Sequence, residues 1–489
     1  MKILKQFLSA LVFLTIIGCN RQDTVITVEF PEQPEVNMLI YSVPISGTSY
    51  LGFSDTLKRS ETGKFELKMK IAQSSFVTFW SEVSPRDHVK LLVEQGNNYY
   101  VSIGSKKNVQ ITGANEVGQM LYMTLPNPVS VFEMGFMRET LPDTMSLISA
   151  HEIINNLKQS ELSKFKELLD EKKISKSFFN LIRKDRDCYY ASVEARFSLI
   201  KIYRSETIEK ELLENLKKIY EHYPPNDENL LLSSFWTDYA KRYIEDYKQF
   251  IQENFSIQNF QDLMKSGAIY THFSNEAKKY LSGKALEFFQ ARHIHYTCIQ
   301  PRSSFEKSLI SLFEQFEKDY PRSEYTKYLK PYIDRIIEHH QIVEQPFDKA
   351  ILFMDNYENI NTLTEAIKPL QGKKIYIDVW ATWCAPCIRE FAHNEVLKKI
   401  LSKNDIQQLY ISVDRDEDEQ KWKNAIKQYH LTGIHIRTNN EFQSYLMKLY
   451  SAENPHLNIP WYILIDEKGN IMEERAKNPS QLVAGEKLW

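Results

Sequence analysis

The stretch IYIDVWATWCAPC at residues 375–387 decides the fold of the C-terminal third of this 489-residue chain. It predicts a short apolar strand, a tight turn and a helix that begins at Cys384. Two thiols three positions apart at the start of a helix can form a disulfide with each other. Cys384 also lies where backbone N–H groups and the helix dipole favour an anion, which lowers the pKa of a thiol. The stretch therefore predicts a reactive dithiol, because the thiolate is the nucleophile of disulfide exchange.

The residues around this stretch predict one α/β domain. A second apolar run at Leu409–Val413 follows the helix of Cys384, so the two strands form a βαβ unit and should be parallel. The remaining elements are predicted, in chain order, as helices at 419–429 and 442–449 and a β-hairpin of strands 461–465 and 471–475.

These motifs resemble the thioredoxin superfamily, and most closely the membrane-anchored thiol–disulfide oxidoreductases of the TlpA or ResA-like type. The resemblance rests on Trp380–Cys387, Arg389, Glu390 and Ile459-Pro460 before the last apolar run. It implies a C-terminal thioredoxin fold, disulfide-containing protein substrates and no bound cofactor. It also implies a membrane electron donor that this chain does not encode.

The resemblance assigns a role to each side chain near the dithiol. Cys384 attacks, and Cys387, one helical turn further on, resolves the mixed disulfide. Asp378 stands where thioredoxins carry a buried carboxylate, whose pKa burial raises and which takes the proton of Cys387. The alternative for Asp378 is a hydrogen-bonded aspartate at a strand end, although a carboxylate in an apolar strand is costly. Glu390 matches a family position, and an early-helix glutamate that is favourable to the helix dipole is an equally good interpretation.

A second set of residues is predicted to bind the substrate. Pro460 matches the family's cis-proline, which leaves the Ile459 backbone free to pair with an extended substrate segment. The alternative is a trans proline that opens the strand. Trp383 is predicted to form part of an apolar platform, with plain packing as its alternative, and Ala385 and Pro386 complete the set. Neither of the two residues between the cysteines is the histidine that is associated with strongly oxidising sites. Their identity therefore favours a reductase.

The chain begins with a predicted targeting segment, Met1–Gly18, in which Lys2 and Lys5 form a positive region before an apolar run at Phe7–Ile17. That run is too short to span a bilayer as a helix, which needs about 20 residues. The residues up to Cys19 resemble a bacterial lipobox, which implies lipidation of Cys19, and Asn20 favours sorting to the outer membrane. We therefore expect a protein of the cell envelope that faces the periplasm and is anchored through residues 19–25. A plain secretory leader with an incidental Cys19 is the alternative.

Two further regions precede the α/β domain. Alternating apolar residues predict an antiparallel β-sandwich or barrel over residues 26–113, in which Val89–Val93 pairs with Tyr99–Ile103. Helical spacing predicts an all-α region over 114–345, and the α/β domain occupies 346–489. The chain is therefore predicted to be multidomain, with an N-terminal antiparallel β domain, a central all-α region and a C-terminal α/β thioredoxin fold.

Composition narrows the classes of partner. The formal net charge of −3 does not favour nucleic acid, since phosphate binding needs a basic surface. His293-x-His295 supplies too few ligands for a metal site, so we predict no metal and expect solvated or capping histidines. Cys188 and Cys298 are expected to be buried free thiols, with a disulfide between them as the alternative.

Two classes of function remain open. The first is a membrane-anchored extracytoplasmic oxidoreductase that reduces protein disulfides through its dithiol. The second is a ligand-binding or assembly lipoprotein that uses the thioredoxin fold as a docking module. The long region before residue 346 favours the second class, whereas the intact Cys-x-x-Cys motif with Asp378 and Pro460 favours the first.

Overall fold

The computed structural model describes residues 23–45, 48, 52–71, 73–84, 88–104, 108–125, 139–142, 144–300, 303, 305–453 and 455–485. The predicted targeting segment and the predicted lipidation site Cys19 lie outside these residues. The chain divides into two compact units, Met1–Ile336 and Ile337–Trp489, each with its own hydrophobic core. The predicted domain bounds within these units stay predictions.

The first unit begins with two packed β-sheets. Their strands are β1 (Thr24–Glu29), β2 (Met38–Ser42), β3 (Asp55–Lys58), β4 (Lys64–Met69), β5 (Ser75–Ser81), β6 (Val89–Val93), β7 (Asn98–Ile103) and β8 (Val109–Gly113). The strand orders are β4-β1-β7-β8 and β3-β2-β5-β6. Alternate residues of both sheets, among them Ile26, Val77 and Val101, share one core. The predicted N-terminal β domain is therefore confirmed.

The predicted pairing of Val89–Val93 with Tyr99–Ile103 is wrong. β6 pairs antiparallel with β5, whereas β7 lies in the other sheet between β1 and β8. β1 and β7 run parallel, whereas the other strand pairs described in this unit are antiparallel. The turn between β6 and β7 is held by β1, because the Gly96 N–H donates to Thr24 Oγ1 and that hydroxyl donates to the Glu94 carbonyl, at 3.1 Å each. Turn residues mark where the chain reverses, but packing decides which neighbour each strand meets.

Helices follow the sheets. They are α1 (Glu116–Met123), α2 (Leu147–Asp170), α3 (Lys176–Arg204), α4 (Lys210–His222), α5 (Trp236–Lys241), a π-helix at Arg242–Gln252, α6 (Ile257–Lys265), α7 (Ile269–Tyr280), α8 (Gly283–Ile299), α9 (Ser308–Asp319) and α10 (Thr326–Glu344). A buried polar cluster joins α3 to the sheets. Lys90 Nζ lies 3.3 Å from Asp185 Oδ1, and Tyr122 OH donates to Asp185 Oδ2 at 2.9 Å. The predicted central all-α region is confirmed.

Several chemically interesting residues of these helices are buried. Cys188 and Cys298 are free and buried, as expected, and burial raises the pKa of both thiols. The expectation of solvated or capping histidines is wrong for His295, whereas His293 is half-buried. His293 Nε2 lies 2.8 Å from the carbonyl oxygen of Tyr270, and burial lowers the pKa of His293 to about 4, while His295 is only 1% exposed. A neutral imidazole is compatible with burial, and helical spacing alone does not show which face is covered.

The second unit is a six-stranded sheet with helices. Its strands are β9 (Ile351–Phe353), β10 (Lys374–Trp380), β11 (Ile406–Ser412), β12 (Gly433–Arg437), β13 (Trp461–Ile465) and β14 (Ile471–Glu473), in the order β14-β13-β10-β11-β12-β9. Its helices are α11 (Leu363–Ile367), α12 (Ala385–Glu390), α13 (Asn394–Lys403), α14 (Glu419–Gln428), α15 (Asn440–Tyr450) and α16 (Pro479–Val483). β10 is parallel to β11 and antiparallel to β13. The predicted βαβ unit and the closing hairpin of β13 and β14 are confirmed.

The position of β10 explains where a site can form. Every residue of β10 after Lys374 is buried, as expected for a central strand that is covered on both faces. β10 ends at the edge of the sheet where α/β folds place their functional residues, so the residues that follow it can form a site. None of the helices in the described residues combines the length and the hydropathy that a bilayer crossing requires.

Candidate active site

The predicted dithiol lies at the start of α12, directly after the turn that follows β10. Cys384 is the N-cap residue, and its Sγ accepts a hydrogen bond from the Cys387 N–H at 3.2 Å. The two cysteines form a disulfide with a Cα–Cα distance of 5.3 Å. Cys384 is 4% exposed and Cys387 is fully buried. The cysteine nearer the helix start is therefore the more accessible of the two, as the attacking role requires.

The residues predicted to bind substrate differ in exposure. Trp383 is 65% exposed, although it is a large apolar side chain, and Ala385 and Pro386 are also exposed. The Ile459–Pro460 peptide bond is cis, as the resemblance implies. Ile459 is half-buried and packs against the core that contains both cysteines. An apolar rim around a buried disulfide can bind an extended polypeptide, and the individual binding roles stay predictions.

Asp378 is a fully buried carboxylate in the centre of the sheet. Its Cα partners are Tyr410 on β11 and Tyr462 on β13. Neither carboxylate oxygen has a hydrogen-bond partner among the described residues, so the alternative of a satisfied strand-end aspartate is wrong. Burial, and secondarily the charge of Glu390, raise the pKa of Asp378 well above its usual value. The predicted direction of the pKa shift is therefore confirmed, because a charge is strongly disfavoured in this environment.

Glu390 has a different local role from the one its sequence position indicates. It is the last residue of the short α12, so the prediction of an early-helix glutamate is wrong. Its carboxylate accepts hydrogen bonds from the Ser480 N–H at 2.9 Å and the Ser480 hydroxyl at 3.0 Å. Ser480 lies in the first turn of α16, where an anion offsets unpaired N–H groups. Glu390 thus fastens α16 to the helix that carries the dithiol.

Asp414 was not singled out in the sequence, yet it holds the turn before the dithiol. Its carboxylate accepts the Thr382 N–H at 3.0 Å, the Thr382 hydroxyl at 2.7 Å and the Ser412 hydroxyl at 2.7 Å. Asp414 is 2% exposed. The sequence offered one signal for this role, since Asp414 comes just after β11. The carboxyl ends of neighbouring parallel strands meet at one edge of a sheet, so a residue after β11 can reach the turn after β10.

We expect Asp414→Ala to loosen the turn that carries Trp383 and Cys384. Two donors of the half-buried Thr382 and the buried hydroxyl of Ser412 lose their acceptor. The free energy of unfolding should therefore fall by about 2 kcal/mol, and disulfide exchange should slow by about tenfold. Denaturant unfolding and the reduction of insulin by the purified protein measure the two effects. Glu417→Ala, an exposed carboxylate three residues further on, is the control. If both variants behave like the parent protein, the positioning role of Asp414 is wrong.

No set of three or more histidine, cysteine, aspartate or glutamate side chains that could hold a metal ion occurs within the described ranges.

A family model and several known proteins are similar to part of this chain. The family model described as Redoxin matches residues 353–482. Over 110 residues the chain is 31% identical to the thiol-disulfide oxidoreductase ResA of Bacillus thuringiensis subsp. konkukian (strain 97-27), which is 22% of this chain and 57% of that relative. The chain thus spans a little over half the length of the curated relatives it matches.

Two solved structures are each similar to about a quarter of the chain. One is the thiol-disulfide oxidoreductase from Bacteroides fragilis NCTC 9343, with 26% identity, 23% of this chain and 80% of that chain covered, and a TM-score of 0.20. The other is StoA from Bacillus subtilis, with 22% identity, 24% of this chain and 83% of that chain covered, and a TM-score of 0.19.

Proposed function

We propose, on the premise that residues 353–482 form a redoxin domain of the thioredoxin superfamily, that this chain is a thiol–disulfide oxidoreductase that reduces protein disulfides. The observation that carries the proposal is the disulfide between Cys384 and Cys387 at a helix start, within a rim of exposed apolar residues. The buried carboxylate of Asp378 on the preceding strand adds a group that can move a proton.

The proposed reaction has two exchange steps. The Cys384 thiolate attacks one sulfur of a substrate disulfide, so a Cys384–substrate bond forms while the substrate's own S–S bond breaks and its other sulfur leaves as a thiolate. Cys387 then gives its proton to Asp378 and attacks Cys384 Sγ. The intramolecular disulfide forms, the mixed disulfide breaks, and the second substrate sulfur leaves. Two electrons have passed to the substrate, and the chain ends in the disulfide state that the structure contains.

The direction of electron flow is part of the proposal. Ala385-Pro386 lacks a histidine that would stabilise the thiolate, which supports a reductase at the reducing end of the range of potentials. A reductase in an oxidising compartment must be re-reduced, so the proposal requires a membrane protein as electron donor.

The proposed location is the cell envelope, facing the periplasm. It is supported by the basic and apolar leader before Cys19, and a lipidated Cys19 would anchor the chain stably if it carries two or more acyl chains. Metabolic labelling with palmitate and membrane fractionation test this part. Cys19→Ser should lose the label and move to the soluble fraction, and a Cys19→Ser protein that stays membrane-bound would refute lipid anchoring.

The reduction potential of Cys384–Cys387 tests the activity. Protein that lacks residues 1–23 is equilibrated in thiol buffers, and free thiols are counted by alkylation. A value near about −270 mV supports a reductase, whereas a value near about −120 mV indicates an oxidant or isomerase. A disulfide that never exchanges with the buffer would refute the proposal.

The second candidate is a ligand-binding lipoprotein, and one observation favours it. A cleft of about 630 Å³ lies between α2, α3 and α4, lined by polar residues such as Lys158 and His222 and by the buried Tyr190. This candidate would take the place of the first if the dithiol does not cycle.

A further inference from the structure

Asp378 has two tyrosine neighbours whose hydroxyl groups, like its own carboxylate, have no hydrogen-bond partner among the described residues. Asp378, Tyr410 and Tyr462 occupy one row across three adjacent strands, β11, β10 and β13, and therefore point to the same face of the sheet. Their exposures are 0%, 0% and 4%. Three ionisable side chains thus lie next to one another in the interior, on the strand that leads to the dithiol.

None of the polar atoms in this row has a hydrogen-bond partner among the described residues. This holds for both oxygens of Asp378, for Tyr410 OH and for Tyr462 OH. An unsatisfied buried polar group costs about 1–3 kcal/mol, so several in one place are rarely retained by chance. Because the three side chains lie in one row, the two phenols can stabilise the Asp378 carboxylate when it is charged.

Three other titratable groups near Asp378 do not stabilise its charge. Glu390 is an acid and opposes ionisation. Tyr376 lies on the same face, but its hydroxyl donates to the Lys477 carbonyl at 2.7 Å. His435 stacks on Tyr410 with ring centroids 4.9 Å apart, and burial lowers its pKa to about 4, so it is neutral. Within the described part of the chain, no lysine or arginine forms an ion pair with Asp378. The two phenols are the unpartnered donors directly opposite Asp378 on its two neighbouring strands.

We propose that Tyr410 and Tyr462 are positioning residues that donate hydrogen bonds across one water to the Asp378 carboxylate and favour its charged form for the resolving step. This inference rests on the proposed function. The proton moves from Cys387 Sγ to an Asp378 oxygen, and each phenol keeps its own proton throughout. A hydrogen bond donated to a carboxylate favours its charged form. The two phenols therefore partly offset the rise in the pKa of Asp378 that burial causes.

The test is the pH dependence of insulin disulfide reduction by Tyr410→Phe and Tyr462→Phe. Each substitution removes only a hydroxyl, so the carboxylate loses a donor and its pKa rises. We expect the acid limb of the rate profile to move up by about one pH unit in each variant, with an unchanged plateau at high pH. At a pH on that limb the rate should fall about tenfold. Tyr376→Phe is the matched control. It should keep the parent profile, since the Tyr376 hydroxyl donates to a backbone carbonyl and not to Asp378.

Two further measurements separate the outcomes. In an Asp378→Asn background the Tyr410→Phe substitution should have no additional effect on the profile. If a phenylalanine variant is poorly folded, the pH dependence of its unfolding midpoint still reports the Asp378 pKa. A parent protein that does not reduce insulin would refute the proposed function. An active parent whose phenylalanine variants keep the parent profile would overturn this inference alone.

Discussion

Cys384→Ser is expected to abolish disulfide exchange, with a fall of at least about 10³-fold in the reduction of insulin. Cys384 is the more exposed cysteine of the pair and caps the helix that follows it. A serine hydroxyl can take the same place in the turn, but it is a far weaker nucleophile at neutral pH and cannot form a disulfide. The fold should therefore persist while the reaction stops.

Cys387→Ser distinguishes the two thiols. The first exchange step should still occur, and a mixed disulfide between Cys384 and a substrate protein should accumulate, visible as a band that thiol reductants remove. Cys188→Ser and Cys298→Ser are the controls, because both thiols are buried and free and their raised pKa values oppose thiolate formation. A Cys384→Ser protein that retains activity, or controls that lose it, would contradict the assignment of the dithiol.

Asp378→Asn is expected to slow disulfide exchange at pH 7 by about 10²-fold while it stabilises the fold. The amide cannot accept the proton of Cys387, so the resolving step loses its base. At the same time a fully buried acid without hydrogen-bond partners is replaced by a group that never ionises. The free energy of unfolding at pH 7 should rise by about 1–3 kcal/mol.

The pH dependence of stability gives this prediction its sign. The folded-state pKa of Asp378 lies above its unfolded value, so the folded protein binds more protons between the two values. The free energy of unfolding contributed by this group therefore falls as pH rises from about 4 through the folded pKa. Asp378→Asn should remove that decline. Denaturant unfolding across this pH range measures it, and Asp405→Asn, an exposed aspartate before β11, should leave the profile unchanged. If the free energy of unfolding of the parent protein shows no such decline with pH, the raised pKa of Asp378 is wrong.

The candidate site was predictable where the relevant residues are close in sequence. The order of strand, turn, Cys384 and helix is local, and so is the apolar setting of Asp378 on β10. The role of Asp414 was not predictable in this way. It lies 32 residues after Thr382, and only the parallel pairing of β10 with β11 brings its carboxylate to that turn.

The errors have the same origin. Local spacing placed Glu390 early in its helix, but the helix ends there and the carboxylate instead bonds Ser480, 90 residues away. In the first unit, turn residues between β6 and β7 predicted a hairpin, but each strand joins a different sheet. In both cases a partner from a distant part of the chain offers the better contact.

The sequence by itself determined the α/β class of the second unit, the helix that begins beside Cys384, and the pairing of the two thiols. These follow from hydrophobic periodicity and from the short reach between residues three positions apart. Only the tertiary structure decided which strands are neighbours, what Glu390 and Asp414 bind, and that Asp378 lies between Tyr410 and Tyr462. The physical reason is that burial and hydrogen bonding are properties of groups brought together by packing, and periodicity records only which face of each element is covered.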